Sequence, residues 1–526
     1  MPLFARLTSL INLALPALAP VTDLPFAASK VAQYQRLVHG EADALDVQTW
    51  DDLMLQQYSA CLAPQTSIFG QQELYRRLQG PCAIDTSVRT QHVRALVADD
   101  AARERVQAAC EGLRRAESEV SETLFGPPLA PTPRWARWLG ALPLGFMAAV
   151  VLALATGALP WWGVAAALWL LLMAIQMRLQ YVAASWQLQL DAIGHMLRTH
   201  ASLAGLGDAV AAPLRPDAVA AARLNRRLWQ LSLSFVPGLQ EYGDWVLLRN
   251  IRHYFASRAV VTAHLPLLRS SFVRVATVEA DLALARHLVR TPRYCWAAGV
   301  AGSTVRFAFE QTVHPLLKEP APLSLRVGDD GRGAFISGQN GIGKSTLLRT
   351  VGLNLVTARG FGFCYAEAAV TSDLPVYASM QNEDTLEGGE SLYMAEVRRA
   401  GELLALARRG PAIFLIDEIF RGTNQLESVS GSAAVLDTLA ESGCVLVSSH
   451  NLILAPLLAR RLAPLCVARV DGCLQVEPGV LKETNGMSLL ATVDVDGVLV
   501  AKAGRVHDQL AAYYLAYPQA CESVLE

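Results

Sequence analysis

Eight consecutive residues, Gly338 to Ser345, have the types and spacing that bind phosphate groups. They read Gly-Gln-Asn-Gly-Ile-Gly-Lys-Ser and stand between a short apolar run and a helical pattern, Thr346 to Ala358. Glycines let backbone N–H groups turn toward phosphate oxygens, and a helix N-terminus adds partial positive charge. We expect Lys344 to reach the β- and γ-phosphates and Ser345 to ligate Mg²⁺. The segment therefore predicts a nucleotide site for ATP or GTP with Mg²⁺, with these contacts: Gly338, Asn340, Gly341, Gly343, Lys344, Ser345 and Thr346.

Two acids end a second apolar run, Phe414 to Ile416. Asp417 is suited to a further Mg²⁺ contact through water, and Glu418 to polarise an attacking water as general base or orienting group. His450 follows a later apolar run, where it could sense the γ-phosphate; the alternative is an ordinary polar strand end. The predicted catalytic residues are therefore Glu418, Lys344 and His450, and the predicted metal contacts are Ser345 and Asp417.

The elements around these residues predict a multidomain fold of α and α/β type. Short apolar runs at Ala334–Ser337, Ile413–Ile416 and Val445–Ser448 are typical of buried parallel strands, and helical patterns lie between them. Amphipathic helical patterns cover Val31 to Glu119, with one run from Thr90 to Leu113, and return from Tyr181 to Arg290. We therefore expect a helical region followed by a C-terminal P-loop domain.

A transmembrane helical hairpin is expected between the two helical stretches. Trp138 to Leu159 carries no charge, Pro160 to Gly163 is interpreted as an interfacial turn, and Val164 to Met177 is apolar again. Three arginines flank its outer ends, which the positive-inside rule places in the cytoplasm: Arg134, Arg137 and Arg178. The expected location is the inner (cytoplasmic) membrane, with a lipid bilayer as partner. The alternative is a helical hairpin buried in a soluble core.

The composition agrees with a membrane segment and excludes a strongly basic surface. Apolar residues make up 52% of the chain, while the formal net charge is only -2, so any nucleic-acid contact must come from a local patch. The 9 cysteines lack metal or disulfide spacing, and no metal cluster is expected. Leu7 to Ala19 is interpreted as a packed or interfacial helix rather than a cleaved signal. Arg223 to Arg227 is interpreted as a solvated helix face.

Three ordered motifs resemble the ATPase of the MutS family: Gly338–Thr346, Asp417–Asn424 and Ser448–Asn451. The basic-Gly-Thr turn after the two acids is the most telling of the three. Between the first two motifs, Glu383 to Glu396 resembles the family's signature loop. The resemblance implies that Ser391 of this loop reaches the nucleotide of a partner subunit, in a homodimer that shares its ATP sites.

Shorter similarities extend this resemblance in both directions. Val313–Leu317 is similar to the start of the family's ATPase domain, and Pro478–Val480 with Asn485–Met487 to its closing segment. Upstream, the segment from Thr49 to Leu96 resembles, more diffusely, the start of the helical core. No mismatch-reading domain, connector domain or Phe-x-Glu wedge is expected, and the hairpin takes the place where lever helices would continue.

The domain organisation expected from these patterns has five parts: an N-terminal apolar segment (1–35), the first part of a helical MutS-like core (36–130), the transmembrane hairpin (131–180), a helical core and lever region (181–310) and the ATPase domain (311–526). The favoured hypothesis is a membrane-tethered MutS-like ATPase that couples ATP hydrolysis to duplex or branched DNA, as in mismatch repair or recombination. One alternative is a transporter-type ATPase, since Leu386–Glu390 resembles the transporter signature. The other is a nucleotide-gated membrane scaffold that does not bind DNA.

Overall fold

The computed structural model describes residues 23–40, 44–80, 86–207, 209–231, 244–299, 306–328, 330–380, 392–470, 473–481 and 502–506. Three predictions lie outside the described residues: the helix at Leu7–Ala19, the signature-like segment before Leu392 with its Ser391, and the closing motif Asn485–Met487.

The helices of the described residues are labelled in chain order. The α-helices are α1 Ala28–Val31, α2 Gln33–Val38, α3 Val47–Asp52, α4 Leu55–Leu62, α5 Ile68–Gln79, α6 Thr86–Ala98, α7 Asp100–Cys110, α8 Ser121–Phe125, α9 Ala141–Thr156, α10 Leu159–Ala204, α11 Ala218–Leu231, α12 Arg249–Ala263, α13 Leu265–Arg290, α14 Lys344–Phe361, α15 Leu392–Ala407, α16 Gln425–Ser442 and α17 Leu454–Leu457. Short 3-10 helices lie at Glu111–Arg115, Arg134–Trp138 and Ala209–Asp217.

The strands are labelled in the same way. They are β1 Cys295–Trp296, β2 Ala298–Gly299, β3 Phe307–Thr312, β4 Leu323–Val327, β5 Gly333–Gly338, β6 Phe363–Cys364, β7 Ala368–Thr371, β8 Val376–Ser379, β9 Ile413–Asp417, β10 Cys444–Ser448, β11 Leu462–Val470 and β12 Cys473–Pro478. Helices therefore precede the strands along most of the chain, and the mixed helical and α/β fold class is confirmed.

The chain divides into two compact units. The helical unit comprises Met1–Ala42, Leu62–Arg76 and Gln91–Val289, and the sheet unit comprises Asp43–Cys61, Arg77–Thr90 and Arg290–Glu526. Each unit is therefore assembled from segments that are separated in the sequence.

The hairpin of the helical unit turns earlier than the sequence predicted. Helix α9 ends at Gly157, whose φ of 65° is in the left-handed region that glycine adopts easily. Helix α10 then begins at Leu159 with Pro160 in its first turn, where the missing N–H of proline costs nothing. The prediction of a turn at Pro160–Gly163 is therefore wrong, because these residues form the first turn of α10.

The apolar part of this hairpin is largely exposed. Helices Arg134–Thr156 and Leu159–Ala204 are long and apolar enough to cross a membrane, by length and composition only, and 22% and 17% of their most apolar windows are buried. The exposed large apolar side chains include Leu144, Met147, Val151, Leu154, Trp162, Trp169, Leu170 and Leu171. The hairpin thus presents an apolar surface that no described residue covers.

Beyond the apolar part, α10 becomes a core element of the helical unit. Trp186 is buried and its indole Nε1 donates to Ser257 Oγ of α12 at 2.9 Å. Helix α13 is buried over most of its length, and its Glu279 accepts the backbone N–H groups of Ser67 and Gly70 at 2.9 Å each. That carboxylate caps the N-terminus of α5 and satisfies donors that a helix start leaves open.

One helical prediction divides into two helices. The run from Thr90 to Leu113 is broken at Asp99, whose side chain accepts the backbone N–H of Ala102 at 2.9 Å and starts α7 as an N-cap. The apolar pattern of the sequence continues across this cap because both helices bury apolar side chains, which include Val93, Leu96 and Val106.

A six-stranded sheet forms the centre of the sheet unit, with the order β12-β11-β5-β10-β9-β8. The pairings among β11, β5, β10, β9 and β8 are parallel, and only β12 is antiparallel to its neighbour. The three predicted strands are confirmed as β5, β9 and β10, which lie side by side. Their residues are almost entirely buried, so the carboxyl ends of these strands meet at one edge of the sheet.

Smaller sheets complete the strands of this unit. Strands β2, β7, β3 and β4 form a four-stranded sheet in that order, and β1 pairs with β6. Helix α14 packs closely on the main sheet, since a Cβ added at Gly352 would lie 2.7 Å from Leu415 Cδ1. The loop between β5 and α14 is therefore held between a buried strand and a buried helix.

Candidate nucleotide-binding site

The loop from Gly338 to Gly343 joins the end of β5 directly to the start of α14. Gly341 has φ 76° and Gly343 has φ 106°, and both values are strained for residues with a side chain. The carbonyl of Gly343 accepts the N–H of Leu347 at 2.8 Å, so the helix begins immediately after the loop. The first N–H groups of α14 have no intrahelical partner, which makes this turn suitable for an anion.

Lys344 lies within the loop rather than in solvent. Its side chain is 7% exposed, and Nζ donates to the carbonyls of Gly338 at 2.9 Å and Gln339 at 3.2 Å. Burial lowers the pKa of this amine, while the nearby carboxylates of Asp417 and Glu418 act in the opposite direction. The loop therefore places one cation where phosphate oxygens would enter.

Asp417 has a carboxylate oxygen that is free to bind a cation. The residue ends β9 and is 3% exposed, and Ser448 Oγ of β10 donates to Oδ1. The Oδ2 atom is buried and has no hydrogen-bond partner among the described residues. A buried, unpaired carboxylate oxygen is costly unless a cation or water satisfies it, and oxygen donors of this kind suit Mg²⁺.

Glu418 is held between a histidine and an arginine. Its Oε1 lies 3.0 Å from His450 Nε2, and its Oε2 lies 3.5 Å from Arg421 Nε. The backbone φ of Glu418 is 58°, an uncommon conformation for a non-glycine residue that clusters at functional sites. The N–H of Glu418 donates to the Ser448 carbonyl at 2.9 Å, which fixes this turn against β10.

The register of the sheet explains why the histidine meets the acid. Ser448 pairs with Asp417 across the parallel strands β10 and β9. Both strands end at the same edge, so the residues just beyond their ends, His450 and Glu418, become neighbours. The structure therefore brings together the predicted catalytic residues, which are separated by up to 106 positions in the sequence (344 to 450).

Two further residues beside Glu418, Arg421 and Glu396, had no predicted site role. Glu396 of α15 accepts the backbone N–H of Arg421 at 2.9 Å, and its Oε1 lies 3.4 Å from Arg421 Nε. Arg421 thus bridges two carboxylates, Glu396 and Glu418. Its position three residues after the acid within the basic-Gly-Thr turn was the available signal, but nothing in the sequence identified Glu396 as the partner.

The turn after Arg421 packs tightly on the start of α15. A Cβ added at Gly422 would lie 2.8 Å from the backbone N of Tyr393. Asn424 then starts α16, its side chain accepting the N–H of Glu427 at 3.0 Å. The segment that carries the acids is therefore fixed at the beginning of α16 and against α15.

The remaining predicted contacts have different degrees of exposure. Ser345 is half-buried, whereas Asn340 and Thr346 are exposed at the loop surface. Ser391 lies outside the described residues, so its predicted contact with a partner's nucleotide stays a prediction. The loop, the buried acid and the strand order together define an α/β domain whose sheet edge is suited to a phosphate-bearing ligand.

Comparison with known proteins gives this domain its family. Residues 334–511 match the family model MutS domain V. The chain is 32% identical to "Endonuclease MutS2" of Thermus thermophilus over 185 residues, which are 35% of this chain and 23% of that protein. It is 27% identical to "DNA mismatch repair protein MutS" of Myxococcus xanthus over 253 residues, 44% of this chain and 28% of that protein.

A third relative is similar over a comparable share of the chain. The chain is 29% identical to "DNA mismatch repair protein MSH3" of Mycosarcoma maydis over 198 residues, 34% of this chain and 17% of that protein. The chain thus spans less than a third of the length of each of these relatives. The part of the chain from 334 to 511 is therefore similar to the MutS domain V, and the predicted resemblance to the MutS family is confirmed.

Proposed function

We propose that this chain is a MutS-type ATPase that is tethered to a membrane. The observation that carries the ATPase assignment is the position of Glu418, an acid at the carboxyl end of β9 that is bracketed by His450 and Arg421. Phosphoryl transfer needs positioned charge and an oriented water rather than covalent chemistry. A bracketed carboxylate beside a phosphate-binding loop supplies that orientation.

The residues of the site divide into binding and orienting groups. Lys344 and the N–H groups of the Gly338–Gly343 loop would hold the phosphates, and Ser345 with Asp417 would hold Mg²⁺. The bound ion supplies charge neutralisation at the β- and γ-phosphates. The buried Oδ2 of Asp417 supports this assignment, since a cation or its water shell would satisfy that atom.

Glu418 and its two neighbours would act on the attacking water. His450 and Arg421 restrict the carboxylate from both sides, so that it keeps one orientation at the strand end. A carboxylate in this position accepts a hydrogen bond from water and increases its nucleophilic character. His450 is about half exposed, so the same side chain remains accessible to the γ-phosphate that it was predicted to sense.

A shared dimer site and coupling to DNA complete the proposal. Ser391 would reach the nucleotide of a second copy, so that ATP binding closes two sheet units on each other and hydrolysis reopens them. The names of the relatives, an endonuclease and two mismatch repair proteins, support DNA as the ligand that this cycle controls. Matched, mismatched or branched duplexes are the substrates to compare.

Steady-state ATP hydrolysis by the detergent-purified full chain tests this coupling. The assay is run without DNA, with matched duplex and with mismatched or branched duplex, and the Lys344→Ala variant gives the background. The proposal predicts turnover that DNA stimulates, with the most effective substrate indicating the task. Turnover that is indifferent to every DNA would reject the DNA part and leave an ATPase that serves another membrane partner.

The exposed hairpin supports the membrane part of the proposal. A hairpin buried in a soluble core would have its apolar side chains covered, whereas 17–22% of the most apolar windows is buried here. The span Arg134–Thr156, which comprises the 3-10 helix and α9, has 23 residues, and about 20 mostly apolar residues are enough for a membrane crossing. The flanking Arg134, Arg137 and Arg178 favour the cytoplasmic side of the inner membrane for both outer ends and the sheet unit.

Extraction of membranes at alkaline pH tests insertion directly. The full chain is expected to stay in the pellet after carbonate washing and to enter solution only with detergent. A Leu170→Arg substitution on the exposed face should weaken insertion, at a cost of about 3 kcal/mol at the bilayer centre. Val47→Arg, an equally apolar-to-charged change at an exposed position of the sheet unit, is the matched control. Recovery of the wild-type chain in the detergent-free soluble fraction would refute the tether.

Two other functions remain distinguishable by experiment. A transporter-type ATPase would need more than the two candidate spans found among the described residues, and a transported substrate would identify it. A nucleotide-gated scaffold would bind ATP without turnover, and the presence of Glu418 with both of its neighbours argues against that function.

A further inference from the structure

A basic cavity lies within the helical unit at the foot of the hairpin. Its volume is about 760 Å³, which is in the range of small-molecule sites. One wall is the 3-10 helix Arg134–Trp138 that leads into α9, and the other is the first two turns of α12. The lining residues are Thr132, Pro133, Arg134, Ala136, Arg137, Gly140, Leu247, Arg249, Arg252, His253, Phe255 and Ala256.

Four arginines line this cavity, and no acid does. Arg134 and Arg137 come from one wall, and Arg249 and Arg252 from the other. Within the described part of the chain, none of these four guanidinium groups lies within 4.0 Å of a carboxylate. The nearby acid, Asp244, accepts the backbone N–H of Asn250 at 3.1 Å and interacts electrostatically with Arg249 from beyond ion-pair distance. Guanidinium groups that line one cavity with no carboxylate within ion-pair distance are suited to a phosphate group.

The cavity lies where the apolar hairpin begins. In the sequence next to the lining residues, Leu139 of the hairpin segment packs with Leu248 and Ile251 at the start of α12, and Leu172 of α10 joins the same cluster. The cavity is therefore next to the first apolar turn of α9 and the last apolar turns of the membrane part of α10. In a bilayer this level is the boundary between hydrocarbon and headgroups, where arginines and tryptophans are enriched.

Exposed apolar side chains surround the cavity mouth. Trp135 is 51% exposed and Trp138 is 68% exposed, on the same short helix as two of the arginines. The helical turn 244–247 presents Trp245, Val246 and Leu247, each more than a third exposed. Arginines next to exposed tryptophans and aliphatic side chains match a ligand that has a phosphate at one end and acyl chains at the other.

The backbone geometry supports this arrangement of the α12 wall. Leu248 is fully buried and has φ 49°, an uncommon conformation for a leucine. This residue reverses the chain between the exposed apolar turn and α12. As a consequence, Leu247 and Arg249 both line the cavity although Leu248 between them points into the apolar cluster.

We propose that this cavity binds the phosphate headgroup of an anionic phospholipid from the cytoplasmic leaflet. The proposal rests on the membrane tether of the proposed function. Lipid is favoured over nucleic acid because the arginines open beside the apolar hairpin and its tryptophans. The bound headgroup would fix α12 to the hairpin and so orient the helical unit at the membrane surface.

Native mass spectrometry of the detergent-purified full chain tests the proposal. Dioleoylphosphatidylglycerol is titrated against dioleoylphosphatidylcholine, with glycerol 1-phosphate and a short DNA duplex as competitors. Wild type should retain phosphatidylglycerol in preference to phosphatidylcholine. The double variant Arg249→Gln/Arg252→Gln should bind it roughly thirty-fold more weakly, from the contribution of each arginine at an anionic surface.

Two further variants control for structure. Arg134→Gln/Arg137→Gln removes charge from the opposite wall and should weaken binding to a similar degree. Arg226→Gln/Arg227→Gln removes two exposed arginines of α11, outside the cavity, and should leave lipid binding unchanged. Circular dichroism of each variant shows whether the helices are intact.

Each other outcome overturns the proposal. Equal retention of the two lipids, or unchanged binding by both cavity variants, would show that the arginines do not form a headgroup site. Displacement by glycerol 1-phosphate at equal concentration would assign the cavity to a free phosphate compound, and displacement by the duplex would assign it to DNA. The lipid-binding assay is run in micelles and does not depend on insertion into a bilayer. A chain that carbonate releases from membranes but that still prefers phosphatidylglycerol would refute the membrane tether without refuting the headgroup site.

Discussion

His450 Nε2 lies 3.0 Å from Glu418 Oε1, so the residue that follows β10 contacts the acid that follows β9. The contact depends on the parallel register that pairs Ser448 with Asp417. The imidazole that makes this contact is about half exposed. We infer that His450 keeps Glu418 in the orientation that water activation requires.

The His450→Ala variant should therefore lose turnover rather than ATP affinity. We expect kcat for ATP hydrolysis to fall by about 10- to 100-fold, because loss of a positioned proton-transfer partner costs in this range or above. The KM for ATP should change by less than about three-fold. Steady-state kinetics measure both quantities, and a rise in KM at unchanged kcat would show that His450 binds nucleotide instead.

Arg421 should contribute to the same orientation from the other side. The Arg421→Ala variant removes the bridge between Glu396 and Glu418, and we expect about a five-fold lower kcat, as for a partly exposed ion pair. Arg409→Ala, at an exposed arginine of the same unit, is the control. A double-mutant cycle with Glu396→Gln should be non-additive, and strict additivity would show that the bridge has no effect on turnover.

Gly422 should tolerate no side chain. In the Gly422→Ala variant the new Cβ would lie 2.8 Å from Tyr393 N, so either the acid-bearing turn or the start of α15 must move. We expect lower turnover and a destabilisation of about 1–3 kcal/mol. Gly401→Ala is a control within α15, where a Cβ meets nothing within 4 Å and alanine should stabilise the helix by up to about 1 kcal/mol. Equal behaviour of the two variants in thermal unfolding would contradict this packing.

Asp52 should make the stability of the sheet unit depend on pH. The residue is 3% exposed, accepts the N–H of Met380 at 2.8 Å, and has a pKa that burial raises from 3.8 to about 6. Between these two values the folded state holds a proton that the unfolded state has lost. The free energy of unfolding therefore falls as the pH rises through this range, and the loss is complete above about pH 6.

The Asp52→Asn variant lacks this titration, so its free energy of unfolding should increase relative to that of wild type as the pH rises. We expect the difference in unfolding free energy to shift in favour of the variant by about 2 kcal/mol between about pH 4.5 and pH 7.5. Unfolding in detergent at the two pH values provides the measurement. Asp51→Asn, at the exposed neighbour, controls for the loss of one charge. A difference in unfolding free energy between Asp52→Asn and wild type that does not change with pH would contradict this prediction.

Motifs and apolar runs predicted the sheet unit well. The strands β5, β9 and β10 were identified because buried parallel strands are short and continuously apolar. The loop before Lys344 was identified because the spacing of its glycines lets backbone N–H groups turn toward phosphate oxygens. The contact between Glu418 and His450 follows once the strands are placed side by side. The Glu396–Arg421 contact could not be predicted, because it depends on how α15 packs against the turn after β9.

Helix boundaries were less predictable in the helical unit. Pro160 and the two tryptophans after it suggested a turn. Proline is also common in the first turn of a helix, however, and the chain turns at Gly157 instead. Asp99 divided a continuous apolar pattern because its side chain competes for the backbone N–H of Ala102. Neither outcome depends on hydrophobic periodicity, which was the signal used. Arg134 and Arg137 were identified as flanks of the hairpin, but their cavity could not be predicted, because Arg249 and Arg252 come from a segment more than 100 residues away.

Release of inorganic phosphate by the Glu418→Gln variant is the most direct test of the central claim. The full chain in detergent is supplied with saturating ATP and Mg²⁺, and equilibrium ATP binding is measured on the same preparation. We expect phosphate release to fall at least about 100-fold while ATP still binds, because Lys344 and its loop are unchanged. Normal phosphate release by this variant would contradict the account, since the water would then be activated by a group other than Glu418.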